Sequence, residues 1–211
     1  MFYRDPQHIY RVSELDSIPW LVHGFGTRFA DVPALITPLA TVKQIHSADC
    51  VVAAGRSGVL GEADALLEDT PGTAVAVKTA DCIPILLVDV KRRAVAAVHA
   101  GWRGTVARIG PRALDAMRER FGTDADDVVA AVGPGIGPCC YEVGPDVAAQ
   151  FGKEGRVRLD LAEENRRQLS DAGIPTLHVA GMCTRCGDEF HSFRRDAERA
   201  GRMYSFVGIR A

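Results

Sequence analysis

The sequence predicts an α+β fold in a single domain over residues 1–211, with a largely buried mixed β-sheet core flanked by helices. Apolar runs rich in β-branched residues come in series, and amphipathic helical patterns separate some of them. The composition, 47% hydrophobic and 25% charged, is that of an ordinary globular domain. A chain of 211 residues can bury roughly 70% of the surface that its unfolded form exposes.

The strand predictions rest on short apolar runs bounded by turn residues. Residues 1–40 hold several prolines and the turn-like segment Gly24–Gly26, which indicates short strands and loops. The later strand candidates are Thr41–His46, Val51–Ala54, Ala74–Lys78, Ile83–Val88, Ala94–Val98, Val128–Val132, Leu177–Ala180 and Tyr204–Val207. The polar turn Asp89–Arg93 between two of these runs predicts a buried hairpin.

The helix predictions rest on apolar residues at helical spacing. Between Thr105 and Phe121 apolar residues recur every four positions from Ile109 onward, with charges between them. Gly122 follows at the position of a C-cap glycine. The shorter helix candidates are Val147–Phe151 and Leu161–Ala172, the second ending at Gly173.

The charge balance and the N-terminal residues exclude several classes of partner. A net charge of −2 leaves no basic excess for a broad nucleic-acid interface. No apolar run reaches the roughly 18 residues that span a bilayer, and the polar N-terminus lacks a signal peptide. We therefore expect a cytoplasmic protein whose six cysteines serve metal binding or packing rather than disulfides.

Three segments place a metal-ligand residue at the end of an apolar strand. They carry His46, Cys82 and His99, which are 36 and 17 residues apart. Zinc and copper both accept imidazole and thiolate ligands, and three protein ligands leave one position open, as in catalytic sites. Considered singly, each histidine could be a hydrogen-bonded structural residue and Cys82 a small buried hydrophobe.

The turn from His99 to Gly104 adds an aromatic ring, a guanidinium group and two glycines to this pattern. Glycine lets the backbone approach a ligand closely. The helix that begins near Thr105 could offer free backbone N–H groups to an anion.

Around these residues the sequence resembles the YfiH family, whose members have been called laccase-domain proteins, polyphenol oxidases and purine nucleoside phosphorylases. The resemblance extends over nearly the whole chain from about residue 20. The matching segments are LVHGFGTR (21–28), KQIHS (43–47), EADALL (62–67), TADCIPILLVD (79–89), AVHAGWRGT (97–105), VGPGIGPCCYEVG (132–144), LAEENRRQLSDAGI (161–174), CTRCGDEFHSFRRD (183–196) and GR (201–202).

The resemblance implies a layered α+β fold with a metal in a cleft, held by His46, Cys82 and His99. The implied ion is zinc, with copper as the alternative. The implied reactions are phosphorolysis of adenosine, inosine and methylthioadenosine to free base and ribose 1-phosphate, and adenosine deamination through a metal-bound water. Purine nucleoside and inorganic phosphate are the expected partners.

Three further residues are candidates for the site. Arg28 and Arg103 lie in matched motifs and could bind phosphate bidentately, or could pair with carboxylates. Asp81, next to Cys82, could orient a metal-bound histidine, act as an acid or base, or cap a turn. The segment Phe29–Pro38 stands where the family has a longer glycine-rich loop, which bears on substrate preference.

The four remaining motif cysteines leave several interpretations open. Cys183 and Cys186 form a C-x-x-C pair that could bind structural zinc, with His191 and Cys139 or Cys140 as further ligands. A redox pair and ordinary packing are the alternatives. The glycine-rich loop before Cys139 is expected to shape the rim of the pocket.

Three other functions remain open from the residues. A copper-dependent polyphenol oxidase would need several copper centres, and six histidines make that set hard to build. An amide hydrolase could use Cys82 activated by His99 or His46, for example on a cell-wall precursor. An open three-ligand set argues against a purely structural metal module. The residues do not indicate an oligomeric state.

Overall fold

The computed structural model describes residues 1–211 and consists of two large β-sheets packed face to face, with helices on the outer face of one. The seven-stranded sheet contains, in spatial order, β1 (Phe2–Arg4), β2 (Ile9–Val12), β3 (Leu21–Gly26), β15 (Met203–Ile209), β8 (Thr73–Thr79), β4 (Leu39–Lys43) and β6 (Gly58–Glu62). The six-stranded sheet contains β14 (Thr176–Val179), β11 (Val128–Val132), β9 (Ile83–Asp89), β10 (Ala94–Ala100), β7 (Ala65–Glu68) and β5 (Cys50–Val52).

The remaining elements are short except for two helices. Strands β12 (Glu142–Val143) and β13 (Val157–Arg158) form a separate pair. The helices are α1 (Ser13–Asp16), α2 (Val32–Leu35), α3 (Trp102–Val106), α4 (Ile109–Phe121), α5 (Pro145–Ala149), α6 (Leu161–Asp171) and α7 (Phe193–Asp196), with 3-10 turns at Ala125–Asp127 and Ala197–Arg199. None of the helices combines the length and the apolarity that crossing a bilayer requires.

Both large sheets are mixed, and helices accompany them, which confirms the α+β prediction. The predicted mixed-sheet core consists of two sheets. Strand β4 runs parallel to both β6 and β8, and β5–β7 and β11–β14 are parallel pairs; the other pairings are antiparallel. The predicted hairpin is confirmed, because β9 and β10 pair antiparallel from Ala94–Asp89 to Ala100–Ile83.

The six-stranded sheet is buried on both faces, which explains why its strands are almost continuously apolar. Along β9, Ile83, Ile85 and Leu87 face the core that α4 and α6 cover. Leu86 and Val88 face the opposite core, between the two sheets. Alternation of side chains along a strand thus fills two cores from one run of residues.

The predicted helix from Thr105 to Phe121 is interrupted in the structure. Helix α3 begins earlier, at Trp102, and ends at Val106. Arg108 then interrupts the helical conformation, because its backbone is left-handed, with φ of 59°. Helix α4 then lies along the six-stranded sheet and ends at Gly122, where φ is 70°, as a C-cap glycine requires. Apolar periodicity does not reveal this break, but Pro111 explains it, because a proline inside a continuous helix would lose a hydrogen bond and clash with the carbonyl four residues earlier.

Other boundaries shift for local reasons. Helix α5 starts two residues before the prediction, because Pro145 suits the first helical position. Helix α6 keeps its predicted start, where the Asp160 carboxylate accepts a hydrogen bond from the Glu163 amide at 3.0 Å. Strand β4 ends at Lys43 rather than His46, since His46 adopts a positive φ of 60°.

Candidate metal centre and pocket

His46, Cys82 and His99 converge at one end of the hairpin. Cys82 directly precedes β9 and His99 lies on β10 opposite Pro84, so the pairing register brings both to the same edge. His46 reaches them from the turn after β4. The ligand atoms of the three side chains lie within 4.8 Å of one another, and the two imidazole centroids are 5.0 Å apart.

A buried carboxylate, Asp64, fixes the His99 side chain directly and the position of His46 through the neighbouring residue Ser47. One oxygen lies 2.7 Å from Nδ1 of His99, which leaves Nε2 of that ring free to serve as a ligand. The other oxygen accepts hydrogen bonds from the backbone N–H of Ser47 at 2.6 Å and from its hydroxyl at 2.9 Å. Asp64 therefore orients His99 and holds the turn that carries His46, as carboxylates beside metal-bound histidines do.

The charges of this group favour a thiolate at neutral pH. Burial alone would raise the pKa of the Cys82 thiol, but hydrogen bonds with His46 and His99 outweigh it and lower the pKa to about 6. Burial would lower the pKa of His99, yet hydrogen bonds with Asp64 and Cys82 raise it to about 9. Burial opposes ionisation of Asp64 too, and its bonds to His99 and Ser47 lower its pKa to about 2.

The donor set suits a borderline metal ion. Two imidazole nitrogens and a thiolate sulfur are ligands that zinc accepts readily. His46 is exposed, Cys82 half-buried and His99 buried, so the cluster opens on its His46 side. These residues can hold one metal ion and leave it accessible to a substrate.

The cluster forms part of the lining of a pocket of about 500 Å³, within the size range of small-molecule sites. Gln44 closes one wall, because its side-chain amide donates to the Lys78 carbonyl at 2.7 Å and accepts from the Lys78 amide at 2.8 Å. The lining residues are Lys43, Gln44, His46, Lys78, Ala80, Asp81, Cys82, His99, Ile136, Tyr141, Phe193, Arg194 and Arg202.

Four cationic side chains line the pocket, and three of them have no carboxylate partner. Lys43 pairs with Glu62 at 2.7 Å. Arg202 donates only to two backbone carbonyls in its own loop. Arg194 donates to the Glu142 carbonyl at 3.1 Å and lies over the Tyr141 ring. Together with Lys78, these arginines give the pocket three positive charges that form no ion pair.

Asp81 lies in the pocket lining but bonds neither histidine. Its carboxylate accepts from the Thr184 hydroxyl at 2.7 Å and from the Arg194 amide at 2.6 Å. The orienting contact proposed for Asp81 is made by Asp64 instead. Through these two hydrogen bonds Asp81 connects the loop of Thr184 and the start of α7 to the segment that carries Cys82. The backbone of Asp81 has a positive φ of 86°.

Arg28 and Arg103 are outside the residues that line the pocket. The Arg28 guanidinium donates to the Asp188 carbonyl at 3.2 Å and lies over the Phe29 ring. The Arg103 guanidinium is stacked 4.4 Å from the centroid of Trp102. Neither arginine makes an ion pair with a carboxylate, which was the alternative interpretation.

Sequence reasoning missed Asp64 and the cations Lys78, Arg194 and Arg202. Asp64 lies in the matched segment EADALL, where a carboxylate among apolar residues is itself a signal of a buried role. Arg194 and Arg202 also lie in matched segments, but nothing local places them near Cys82.

Comparison with known proteins agrees with this architecture. The profile of the family described as multi-copper polyphenol oxidoreductase laccase matches residues 26–210. A purine nucleoside phosphorylase of Deinococcus radiodurans is 45% identical over 180 residues, covering 81% of this chain and 70% of that protein. An adenosine deaminase from an unknown prokaryotic organism is 39% identical over 163 residues, covering 69% of this chain and 61% of that protein.

Solved structures show the same fold. The crystal structure of YlmD from Geobacillus stearothermophilus superposes with a TM-score of 0.91 at 28% identity, covering 100% of this chain and 99% of that one. The profile match, the relatives and the shared fold confirm the resemblance seen in the motifs. The chain belongs to the multi-copper polyphenol oxidoreductase laccase family, which includes the YfiH and YlmD proteins.

Proposed function

We propose that this protein cleaves purine nucleosides by phosphorolysis and deaminates adenosine, at a zinc ion held by His46, Cys82 and His99. The observation that carries the proposal is the convergence of these three residues in a pocket with unpaired cations. The names of the two relatives, a purine nucleoside phosphorylase and an adenosine deaminase, support the same pair of reactions. Copper is the alternative ion, because it accepts the same ligands.

In phosphorolysis, a phosphate oxygen attacks C1′ of the ribose, the bond from C1′ to the purine breaks, and the base leaves with the bonding electrons. The chain must therefore bind a phosphate dianion beside the sugar. Lys78, Arg194 and Arg202 supply positive charge in the pocket, and none of the three forms an ion pair with a carboxylate. Guanidinium groups bind phosphate through paired hydrogen bonds.

The same pocket offers aromatic surface for the purine. Tyr141 and Phe193 line it, and Ile136 adds a buried apolar contact. In deamination, water adds at C6 of adenosine and ammonia leaves, so inosine is formed. Zinc, when bound, supplies Lewis-acid chemistry at its open coordination position. Asp64 keeps His99 oriented throughout by accepting from its Nδ1–H.

The experiment that tests this function measures both reactions in one protein. Wild-type protein is expected to release free base and ribose 1-phosphate from adenosine or inosine only when phosphate is present. In Arg202→Ala, the lost charge-assisted contact should lower kcat/KM for phosphorolysis about 30- to 150-fold. Deamination uses no phosphate and should change much less.

Arg28→Ala and Arg103→Ala serve as comparison variants, since the motifs propose these two arginines as phosphate ligands as well. If phosphate binds to the cations that line the pocket, Arg202→Ala lowers kcat/KM for phosphorolysis more than Arg28→Ala or Arg103→Ala does. If Arg202→Ala reduced both reactions equally, the arginine would shape the site rather than bind phosphate. If wild-type protein released no base at any phosphate concentration, phosphorolysis would be excluded.

A specific arrangement favours a second candidate, amide hydrolysis by Cys82 without a metal. Cys82, His99 and Asp64 form a thiolate, imidazolium and carboxylate series in which Asp64 holds Nδ1 of His99 at 2.7 Å. The lowered pKa of Cys82 makes its thiolate available near neutral pH. An amide such as that of a cell-wall precursor would be the substrate.

Metal removal separates the two candidates. Treatment with a chelator should abolish the nucleoside reactions and leave thiolate-dependent amide hydrolysis intact. Restoration of nucleoside cleavage by added zinc would support the first candidate. Amide turnover that survives chelation and is blocked by alkylation of Cys82 would support the second.

A further inference from the structure

Four cysteines gather at a second place in the molecule. Cys139 and Cys140 lie in the loop after β11, and Cys183 and Cys186 lie in the loop after β14. Their sulfur atoms are all within 4.8 Å of one another. The Cys186 sulfur is 3.7 Å from that of Cys139 and 3.3 Å from that of Cys140, so both adjacent cysteines face the C-x-x-C pair.

These separations match a single ion rather than a multinuclear cluster. Zinc–sulfur bonds of about 2.3 Å in a tetrahedron place the four sulfurs about 3.8 Å apart. In 2Fe–2S and 4Fe–4S clusters the four cysteines are divided among two or four iron atoms, so sulfurs on different irons lie farther apart. A tetrahedral set of four sulfurs is the arrangement typical of structural zinc.

The backbone around the sulfurs is shaped to hold them. The Gly137 amide donates to the Cys183 sulfur at 3.2 Å, a contact that stabilises a thiolate. A Cβ atom at Gly137 would lie 3.2 Å from Cys183 Cβ and 3.4 Å from the Cys139 sulfur, so a larger residue there would crowd both cysteines. The Gly187 amide donates a hydrogen bond to the Cys183 carbonyl at 3.0 Å, which closes the C-x-x-C turn.

Basic side chains surround the cluster. Four thiolates on a divalent ion carry a net charge of −2, which nearby cations would stabilise. The Arg185 guanidinium lies 3.4 Å from the Cys140 sulfur, and that of Arg158 donates to the Cys139 carbonyl at 3.1 Å. Arg195 donates to three carbonyls of the C-x-x-C turn, at 3.1 to 3.3 Å. This charge pattern favours an anionic metal–tetrathiolate centre.

We propose that Cys139, Cys140, Cys183 and Cys186 bind one Zn²⁺ in a closed structural site, separate from the site of His46, Cys82 and His99. The ion joins two loops that are 43 or more residues apart. One loop includes Ile136 and leads to Tyr141; the other precedes Phe193 and Arg194, so the ion would clamp opposite parts of the pocket wall.

The test is a zinc count on folded protein purified with zinc and a thiol reductant. Cys139→Ala/Cys186→Ala, in which both replaced cysteines are exposed, is expected to hold one zinc fewer per chain than wild type. Cys50→Ala, a cysteine outside both clusters, is the matched control and should keep the wild-type count. A double variant with the wild-type zinc count would overturn the proposal.

X-ray absorption on His99→Ala provides a measurement that does not depend on the double variant folding. That protein lacks a ligand of the first site, so its remaining zinc should show a shell of four sulfurs at about 2.3 Å. A shell with nitrogen ligands, disulfides among the four cysteines of reduced protein, or iron in place of zinc would each contradict the assignment. Failure of the nucleoside reactions would not affect this result, because neither measurement uses activity.

Discussion

Asp64 shows how one buried carboxylate organises residues from three segments of the chain. It contacts the His99 ring, the Ser47 hydroxyl and the backbone of the turn that carries His46. Its side chain is fully buried, so the ionised form depends on these hydrogen bonds for stabilisation. Asp64 is a positioning residue, since it would act on a bound metal only through His99 and His46.

We predict that Asp64→Asn weakens zinc binding at the His46–Cys82–His99 site about 10- to 100-fold. The amide would turn an N–H donor toward groups that now donate to the carboxylate. Competition with a chelator measures the affinity. Glu68→Gln is the control, because Glu68 is equally buried and accepts three backbone amides, from Gly55, Asp69 and Thr70. Equal losses of affinity in both variants would contradict the prediction.

A second buried group, His23, makes stability depend on pH. It is 1% exposed, and its Nε2 accepts the Val12 amide hydrogen at 2.9 Å, so that nitrogen carries no proton. Burial is the main cause that lowers the pKa of His23 to about 4, and Asp16 opposes the shift. The unfolded chain binds this proton near pH 6.5, so stability is full above that pH and falls as the pH decreases toward 4.

We therefore predict that wild-type protein loses about 3 kcal/mol more unfolding free energy between pH 7 and pH 4 than His23→Gln does. Urea unfolding at several pH values measures this difference. His8→Gln, which replaces an exposed histidine, should follow the wild-type curve. Parallel curves for His23→Gln and wild type would show that the imidazole of His23 does not cause the effect.

At this scale the sequence predicts that His46, Cys82 and His99 lie together, through the matched motifs that carry them, and the structure brings their ligand atoms within 4.8 Å of one another. The role of Asp64 could not be predicted, since it depends on contacts across 35 residues to His99 and 17 residues to Ser47. Arg28 and Arg103 were chosen as phosphate ligands because they lie in matched motifs. The cation Arg202 enters the pocket through the pairing of β15 with β8, which no local pattern encodes.

At the scale of elements, the turn between β10 and α3 places the backbone of Gly101 close to the side chains of His46 and Cys82. A Cβ atom at Gly101 would lie 3.0 Å from Cδ2 of His46 and 3.1 Å from the Cys82 sulfur. The backbone φ of Gly101 is −73°, which any residue can adopt. The glycine is therefore needed for space rather than for backbone conformation.

We predict that Gly101→Ala lowers zinc affinity at least about tenfold, because overpacking displaces His46 or Cys82. Zinc competition assays measure the change. The control is Gly110→Ala, in which a new Cβ would lie 3.1 Å from a Leu169 methyl group in the helix-covered core. That variant is expected to change the melting temperature and to retain zinc. Unchanged zinc affinity in Gly101→Ala would mean that the ligands tolerate the added methyl group.

Burial decided which elements could be predicted. Strands β9, β10 and β11 are buried on both faces, and their continuous apolar runs identify them. Strand β6 is largely exposed and offers no such run, which explains why it was not predicted. Strand β7 was not predicted either, although β14 is equally short and was predicted. The break at Arg108 lies just before Gly110-Pro111, and a proline is tolerated in the first turn of a helix but not inside a continuous one.

At the scale of the whole molecule, the seven-stranded sheet depends on β15. This strand lies between β3 and β8 and pairs with both over most of its length. Val207 and Ile209 belong to the core between the two sheets. Strand β1, by contrast, forms the edge of the same sheet and pairs only with β2.

We predict that deletion of residues 203–211 abolishes cooperative urea unfolding, because two strands lose their shared neighbour and the core loses apolar side chains. Deletion of residues 1–4 removes an edge strand of three residues and should leave a cooperative transition. Fluorescence of Trp20 and Trp102 follows both experiments. A sharp transition in the first deletion would show that the sheet closes without β15.

The central position of β15 also determines when the chain can fold during its synthesis. On the ribosome, β3 emerges early and β8 follows, yet the strand that joins them is translated last among the fifteen. Until then, both strands have unpaired edges and apolar faces, which favours association with other chains. Chaperones that shield exposed strand edges are therefore expected to act on this chain mainly before β15 has been synthesised.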